Sequence, residues 1–229
     1  MNSRKYHDYW DENIDKWGEF YLDISHGHEI LPGPRWFTGM YHATIGRLER
    51  RLMAQRYART IEFLDAHIRP GIVLSDVGCG TGIFVVEALR RGAVVNAIDF
   101  TDMAIEMTRA NVAKHCPTGA VRYYQLDVQQ QPLPKSDVTL AMGLTPYLTD
   151  LPAFFSHTLS NTGMLFCLFV NPRHWANRLR ARLPMLNVRG LQCYAVEDVD
   201  RLYAQHRWHL IERRRFATGY IDRAEHLPL

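Results

Sequence analysis

Ile72-Val73-Leu74-Ser75-Asp76-Val77-Gly78-Cys79-Gly80-Thr81-Gly82-Ile83 is the stretch whose reading decides the fold. A short apolar run with a β-branched start, closed by glycines, reads as a buried strand. Phe84 to Arg91 then reads as a helix that Gly92 stops. Three glycines between a strand and a helix let backbone approach a ligand closely, and the helix N-terminus offers unpaired N–H groups. The dinucleotide fingerprint is G-x-G-x-x-G. Here the third glycine comes one residue early and position 83 is Ile, which argues against a nicotinamide cofactor.

Outward from the loop the pattern repeats. Strands are expected at Ala93–Ile98, Val121–Leu126, Val138–Met142 and Met164–Val170, with helices from Thr101 or Asp102 to about Lys114 and around Leu151–Leu159. Strands alternating with helices make βαβ units and a parallel sheet. Ligands bind beyond the carboxyl ends of such strands, where Asp76, Asp99 and Asp127 fall. Asp99 stands 17 residues after Gly82, placed to accept from both hydroxyls of a ribose. Val196–Gln205 reads as a helix, and Trp208–Phe216 with Tyr220 onward as a hairpin around Ala217-Thr218-Gly219. The expected fold class is α/β: a Rossmann-like, doubly wound seven-stranded sheet, mostly parallel with an antiparallel C-terminal hairpin, plus an N-terminal helical lid. The expected domains are residues 1–60 as an aromatic-rich lid and 61–229 as the cofactor-binding catalytic domain.

At these residues the chain resembles class I S-adenosylmethionine-dependent methyltransferases, whose first motif is commonly D/E-x-G-x-G-x-G. The resemblance covers roughly residues 60–172 and implies S-adenosyl-L-methionine as cofactor. It implies that Asp76 and the backbone from Gly78 through Cys79 and Gly80 to Gly82 hold the methionine moiety, that Asp99 grips the ribose, and that Phe100 packs on adenine. Leu126-Asp127-Val128 matches the third motif, where Asp127 and the Val128 N–H read adenine. Ser136 to Gly143 matches the fourth and brings Met142 to the cofactor. Tyr9-Trp10 and Trp17 resemble an aromatic segment that forms a lid over the cofactor in small-molecule methyltransferases; aromatic faces attract a sulfonium cation. Arg56-Tyr57-Ala58-Arg59-Thr60 and Thr218-Gly219-Tyr220-Ile221 faintly resemble magnesium-protoporphyrin methyltransferases.

The loop after the fourth strand, Gly143-Leu144-Thr145-Pro146-Tyr147-Leu148, lacks the N/D-P-P-Y/F pattern of base amine methylation and carries no carboxylate or histidine. Tyr147, with the lid tyrosines Tyr6 and Tyr9, supplies the candidate catalytic groups. Methylation of O or N of a small metabolite is the expected reaction. The alternative keeps the fold: a cyclase converting S-adenosylmethionine itself to azetidine-2-carboxylate and methylthioadenosine. A non-enzymatic cofactor-binding module is a third reading, which the intact glycines, Asp99 and Asp127 oppose.

The bulk numbers bound the rest. In 229 residues, 47% are hydrophobic and 22% charged, an ordinary globular balance, and a net charge of +3 implies no polyanionic partner. Cys79, Cys116, Cys167 and Cys193 show no zinc spacing and are expected as reduced thiols; His26 and His28 are expected in a loop, with no metal site. No apolar run approaches the ~20 residues of a membrane span. A cytoplasmic monomer or homodimer acting on a small molecule, with neither nucleic acid nor membrane as partner, is the expectation. The arginines between Arg173 and Arg189, and Arg213-Arg214-Arg215, read either as solvated faces or as a clamp for a carboxylate or phosphate.

Overall fold

The computed structural model describes residues 3–14, 35–182 and 191–226. The elements run α1 (Ser3–Asn13), α2 (Arg35–His67), β1 (Val73–Val77), α3 (Ile83–Arg90), β2 (Val94–Asp99), α4 (Asp102–His115), β3 (Val121–Gln125), β4 (Ser136–Ala141), a 3-10 turn (Thr145–Tyr147), α5 (Leu151–Leu159), β5 (Thr162–Val170), α6 (Trp175–Arg182), α7 (Val196–Gln205), β6 (Trp208–Phe216) and β7 (Gly219–His226). The seven strands form one sheet in the order β3-β2-β1-β4-β5-β7-β6. The expected seven-stranded sheet is present, with strand ends shifted by one or two residues. The expected 60/61 domain boundary falls inside α2. By its internal contacts the chain forms two compact units, each assembled from separate stretches.

One unit comprises His7–Ile72 and Cys79–Gln125. β2 and β3 pair in parallel from Val95↔Val121 to Asp99↔Gln125. Val85, Ala88, Val95, Ala97, Ile98 and Ala104 are wholly or almost wholly buried, because α3 and α4 each lay an apolar face on these strands. Thr101, not Asp102, is the N-cap of α4: its hydroxyl accepts from Ala104 N at 3.3 Å, while Asp102 is already the first helical residue. α2 is tied to α3 by polar groups. Arg91 donates to Asp65 and Glu87, and Tyr57 donates to Glu87 Oε1 at 3.3 Å.

The other unit comprises Met1–Tyr6, Val73–Gly78 and Leu126–Leu229. β1, β4 and β5 are parallel, so their carboxyl ends share one edge. β7 returns antiparallel to β5 and pairs with β6. A two-residue turn, Ala217-Thr218, joins β6 to β7. Gly219 is obligatory there, since a Cβ would collide with the Phe169 carbonyl oxygen. Phe154, Phe155, Leu165, Phe169 and Tyr203 fill the core. The Phe155–Tyr203 and Phe169–Tyr220 ring centroids lie 5.1 and 5.4 Å apart, pairs that contribute about 0.5–1.5 kcal/mol each beyond area burial.

The basic run on β6 has a specific job. A bulge between Leu210 and Glu212 resets the alternation. Arg213 then points inward and makes two 2.7 Å hydrogen bonds to fully buried Asp222, while exposed Arg214 pairs with Glu212. The clamp expected of an arginine is therefore real but internal: it holds the chain's own carboxylate. Burial pushes the Asp222 carboxyl up to about 6, against the opposing pull of Arg213. Arg173 likewise pairs with Glu197 at 2.6 Å. All four cysteines are free.

Candidate functional site

In the unit that contains Cys79–Gln125, the glycine loop is bolted down from behind. Cys79 N donates to Ile98 O at 3.0 Å, Thr108 Oγ1 donates to Gly80 O at 3.0 Å, and Asn111 Nδ2 donates to Thr81 O at 2.8 Å. Gly82 has φ +80° and so close a neighbour in α4 that a Cβ would sit 2.8 Å from Thr108 Cγ2. The front of the loop is different. Gly80 has φ +56°, and among the described residues a Cβ there would meet only Ile14 Cδ1, at 3.8 Å. Among the described residues no side chain crowds this face of the loop, which lies beside the N-terminus of α3, a helix end with no side-chain cap.

Asp99 lines the same place. It is 7% exposed. Its Oδ2 accepts from Gly80 N at 3.1 Å, and Oδ1 accepts from Thr101 N and Thr101 Oγ1, both at 3.2 Å. Burial pushes its carboxyl above the usual range, and hydrogen bonds from Gly80, Thr101 and Phe100 pull back. A carboxylate offers about four acceptor positions, and these donors occupy them with long bonds. A diol can therefore bind Asp99 by sharing Oδ2 with Gly80 N or by displacing the Thr101 hydroxyl. Phe100, half-buried, meets His7 edge-on with centroids 5.4 Å apart. Asp11 accepts from Met103 N at 3.4 Å. His7 and Asp11 of α1, with Ile14 just past its end, thus face Phe100, Met103 and Gly80, at the i, i+4, i+7 spacing of one helix face. Tyr9, on α1, packs against Trp10 at 5.3 Å.

The other unit carries the remaining groups. Asp76 is buried on β1, opposite Leu140 of β4, and Gly78 at its end faces Leu144. Asp127 accepts from Gln129 N at 2.9 Å and Gln130 Nε2 at 3.0 Å, so its own turn orients it. Val128 and Met142 are buried; the Val128 carbonyl contacts His157 Nδ1 at 2.9 Å. Beyond β4, Thr145 Oγ1 donates to Leu168 O and fixes the 3-10 turn. Tyr147 projects from it, and Tyr6 packs edge-on against Tyr147, centroids 5.4 Å apart. The structure thus brings two of the three candidate tyrosines together.

A third tyrosine, Tyr194, was not anticipated. It donates to Leu148 O at 2.6 Å, and burial with Tyr6 nearby holds its phenol protonated well above the usual range. Gln192 N donates to Pro146 O at 2.7 Å and Tyr194 N to Val170 O at 2.8 Å. Residues 191–195 are therefore a strap across the ends of β4 and β5, drawn from far along the chain, with no local motif to announce it. Trp17, His26, His28 and Arg189 lie outside the described residues. Among the described residues no three His, Cys, Asp or Glu side chains group as a metal site, and no helix is long and apolar enough to cross a membrane.

Comparison with known proteins agrees with this geometry. Residues 74–160 match the family described as "Methyltransferase domain". A curated relative, the ribosomal protein L11 methyltransferase of Thermotoga maritima, is 25% identical over 187 residues, which is 81% of this chain and 57% of that protein. The chain thus spans little more than half the length of that relative. Among solved structures, magnesium protoporphyrin IX methyltransferase (ChlM) from Synechocystis PCC 6803 with bound SAH superposes with a TM-score of 0.74 at 16% identity, over 98% of this chain and 99% of that one. Geranyl diphosphate C-methyltransferase from Streptomyces coelicolor A3(2) gives 0.65 at 18% identity, over 98% of both chains. Residues 74–160 thus match a methyltransferase domain, and the sheet order and strand directions of the whole chain are those of the fold these enzymes share.

Proposed function

We propose that the chain binds S-adenosylmethionine and transfers its methyl group to oxygen or nitrogen of a small metabolite. The observation that carries this reading is Gly80: an open glycine whose N–H and neighbouring buried carboxylate, Asp99, converge. In this reading Asp99 takes the ribose hydroxyls, Phe100 covers adenine, Asp127 and Val128 read its edge, and Met142 lines the pocket. Asp76 and the backbone from Gly78 through Cys79 to Gly82 hold the methionine end.

S-adenosylmethionine supplies a methyl group made electrophilic by its sulfonium. The chain's part is positioning. The loop after β4 has no carboxylate or imidazole to act as base, so an acceptor already nucleophilic at neutral pH suits it, and alignment carries the rate. The Tyr6 and Tyr147 rings exclude water and offer π-faces to a cation, about 0.5–2 kcal/mol each. A small acceptor is favoured by likeness along nearly the whole chain to two small-molecule enzymes. The L11 methyltransferase relatives offer a protein acceptor, on about half their length.

One observation favours a second reading. Tyr6 is 2% exposed and closes on Tyr147, which supports a site without room for an acceptor. S-adenosylmethionine would then be the sole substrate, its amine attacking its own γ-carbon to give azetidine-2-carboxylate and methylthioadenosine. Incubation of the pure chain with S-adenosylmethionine alone, followed by mass spectrometry, separates the two. Methylthioadenosine with the four-membered-ring amino acid overturns methyl transfer. S-adenosylhomocysteine formed only with an added acceptor overturns the cyclase, and no cofactor binding by calorimetry overturns both.

A further inference from the structure

α6 is built inside out. Its buried residue is polar: Asn177, 4% exposed, donates from Nδ2 to Asn171 O at 2.7 Å and Thr218 O at 2.9 Å. These bonds pin the helix to the end of β5 and to the β6–β7 turn. Its large apolar side chains face out instead, Trp175 at 72% and Leu179 at 43% exposure. At about 100° per residue, Trp175, Arg178, Leu179 and Arg182 share an arc of about 100°, centred opposite Asn177. Arg178 and Arg182 are both exposed. From Asn171 to Arg182 there is no Asp or Glu, and the nearby acid Glu197 is taken by Arg173. The rest of the described surface scatters its exposed large hydrophobics singly, at Met103 and Ile211.

We propose that this face of α6 is a docking surface for an anionic lipid bilayer. The chemistry is that of an interfacial helix. An indole settles at the headgroup level, a leucine enters the acyl boundary, and arginines beside them bind lipid phosphates while their stems lie along the apolar surface. Such a surface needs charge and amphipathicity rather than a shaped groove, and eight residues with one tryptophan supply no groove. Position adds a consequence. α6 leaves β5 at the edge where β1 and β4 also end, beside Gly78 and Gly143, so a bilayer seated on it lies at that end of the unit. The inference does not depend on the identity of the cofactor.

The test uses the full chain with vesicles of phosphatidylcholine alone and of phosphatidylcholine mixed with phosphatidylglycerol. The chain is expected to co-sediment with the mixed vesicles only, and to be released by high salt. Trp175→Ala and the pair Arg178→Glu/Arg182→Glu should each weaken partitioning about tenfold or more. Both changes sit on exposed positions, so thermal melting by circular dichroism should stay as in the parent. Absence of co-sedimentation overturns the proposal. So does parent-like binding by either variant. Equal affinity for soluble polyglutamate, indifferent to Trp175→Ala, also overturns it and marks the face as a site for acidic proteins.

Discussion

The glycine loop with Asp99 and the loop carrying Tyr147 lie in different units and are built on opposite plans. The hydrogen bonds that Asp99 itself accepts come from within 19 residues, from Gly80 and Thr101, and Thr101 in turn caps Ala104. Around Tyr147 the interactions are long in sequence: Tyr6 to Tyr147, Gln192 to Pro146, Tyr194 to Leu148. The first plan fixes one geometry from a motif and suits a ligand that never changes. The second gathers side chains from three parts of the chain and can be altered at any of them, which suits a site where acceptors differ among relatives of one fold.

Asp99→Ala should break the first plan most severely. Hydrogen bonds to a charged acceptor contribute about 1.5–3 kcal/mol each, so losing two ribose hydroxyl contacts should weaken cofactor affinity about 100-fold by calorimetry. A change of less than about threefold removes Asp99 from the ribose. Gly82→Ala should follow, because its Cβ meets Thr108 at 2.8 Å on backbone at φ +80°. A cost of about 1–3 kcal/mol should lower the melting temperature by roughly 2–12 °C. An unchanged melt would mean that α4 yields there.

Tyr147→Phe tests the second plan. If its hydroxyl orients substrate, turnover should fall about tenfold, as expected for one lost positioning contact, with cofactor affinity unchanged. Equal loss of both would merge the two regions into one.

The smallest expected effect is pH dependence. Burial raises the Asp99 carboxyl above 3.8 in the folded chain, so its contribution to stability is present below the unfolded value and lost as pH rises through the folded one. Ribose hydroxyls favour the ionised acceptor. Cofactor affinity should therefore decline a few-fold as pH falls through that raised value, and Asp99→Asn should flatten the profile. The parent's being flat as well would detach the titration from binding.

The same contrast explains what could be read in advance. Val196–Gln205 and Trp208–Phe216 appear with their expected ends, because apolar periodicity and flanking turns are local. The placement of Asp99 at the end of β2 and of the glycines after β1 was legible for the same reason. Tyr194 was not, since its role comes from a carbonyl 46 residues away. Nor was the pairing of Arg213, which depends on one bulged residue, Ile211, and on the register that sets Arg213 against Asp222. The stretch holding α6 reads as basic and helical, but which face it exposes was not legible, because its polar residue is the buried one.

The sheet order also bears on how the protein is made. β5, Thr-Gly-Met-Leu-Phe-Cys-Leu-Phe-Val, is the most apolar strand, and its partner on one side is β7, the last strand of the described chain. While a ribosome extends the chain at about 5–20 residues per second, the β5 edge emerges several seconds before β7 can cover it. Through that interval it is a ready template for pairing with another nascent chain. Slower translation over residues 171–218, or truncation before Gly219, should therefore send the protein into inclusion bodies, and chaperone supply during synthesis should set its yield.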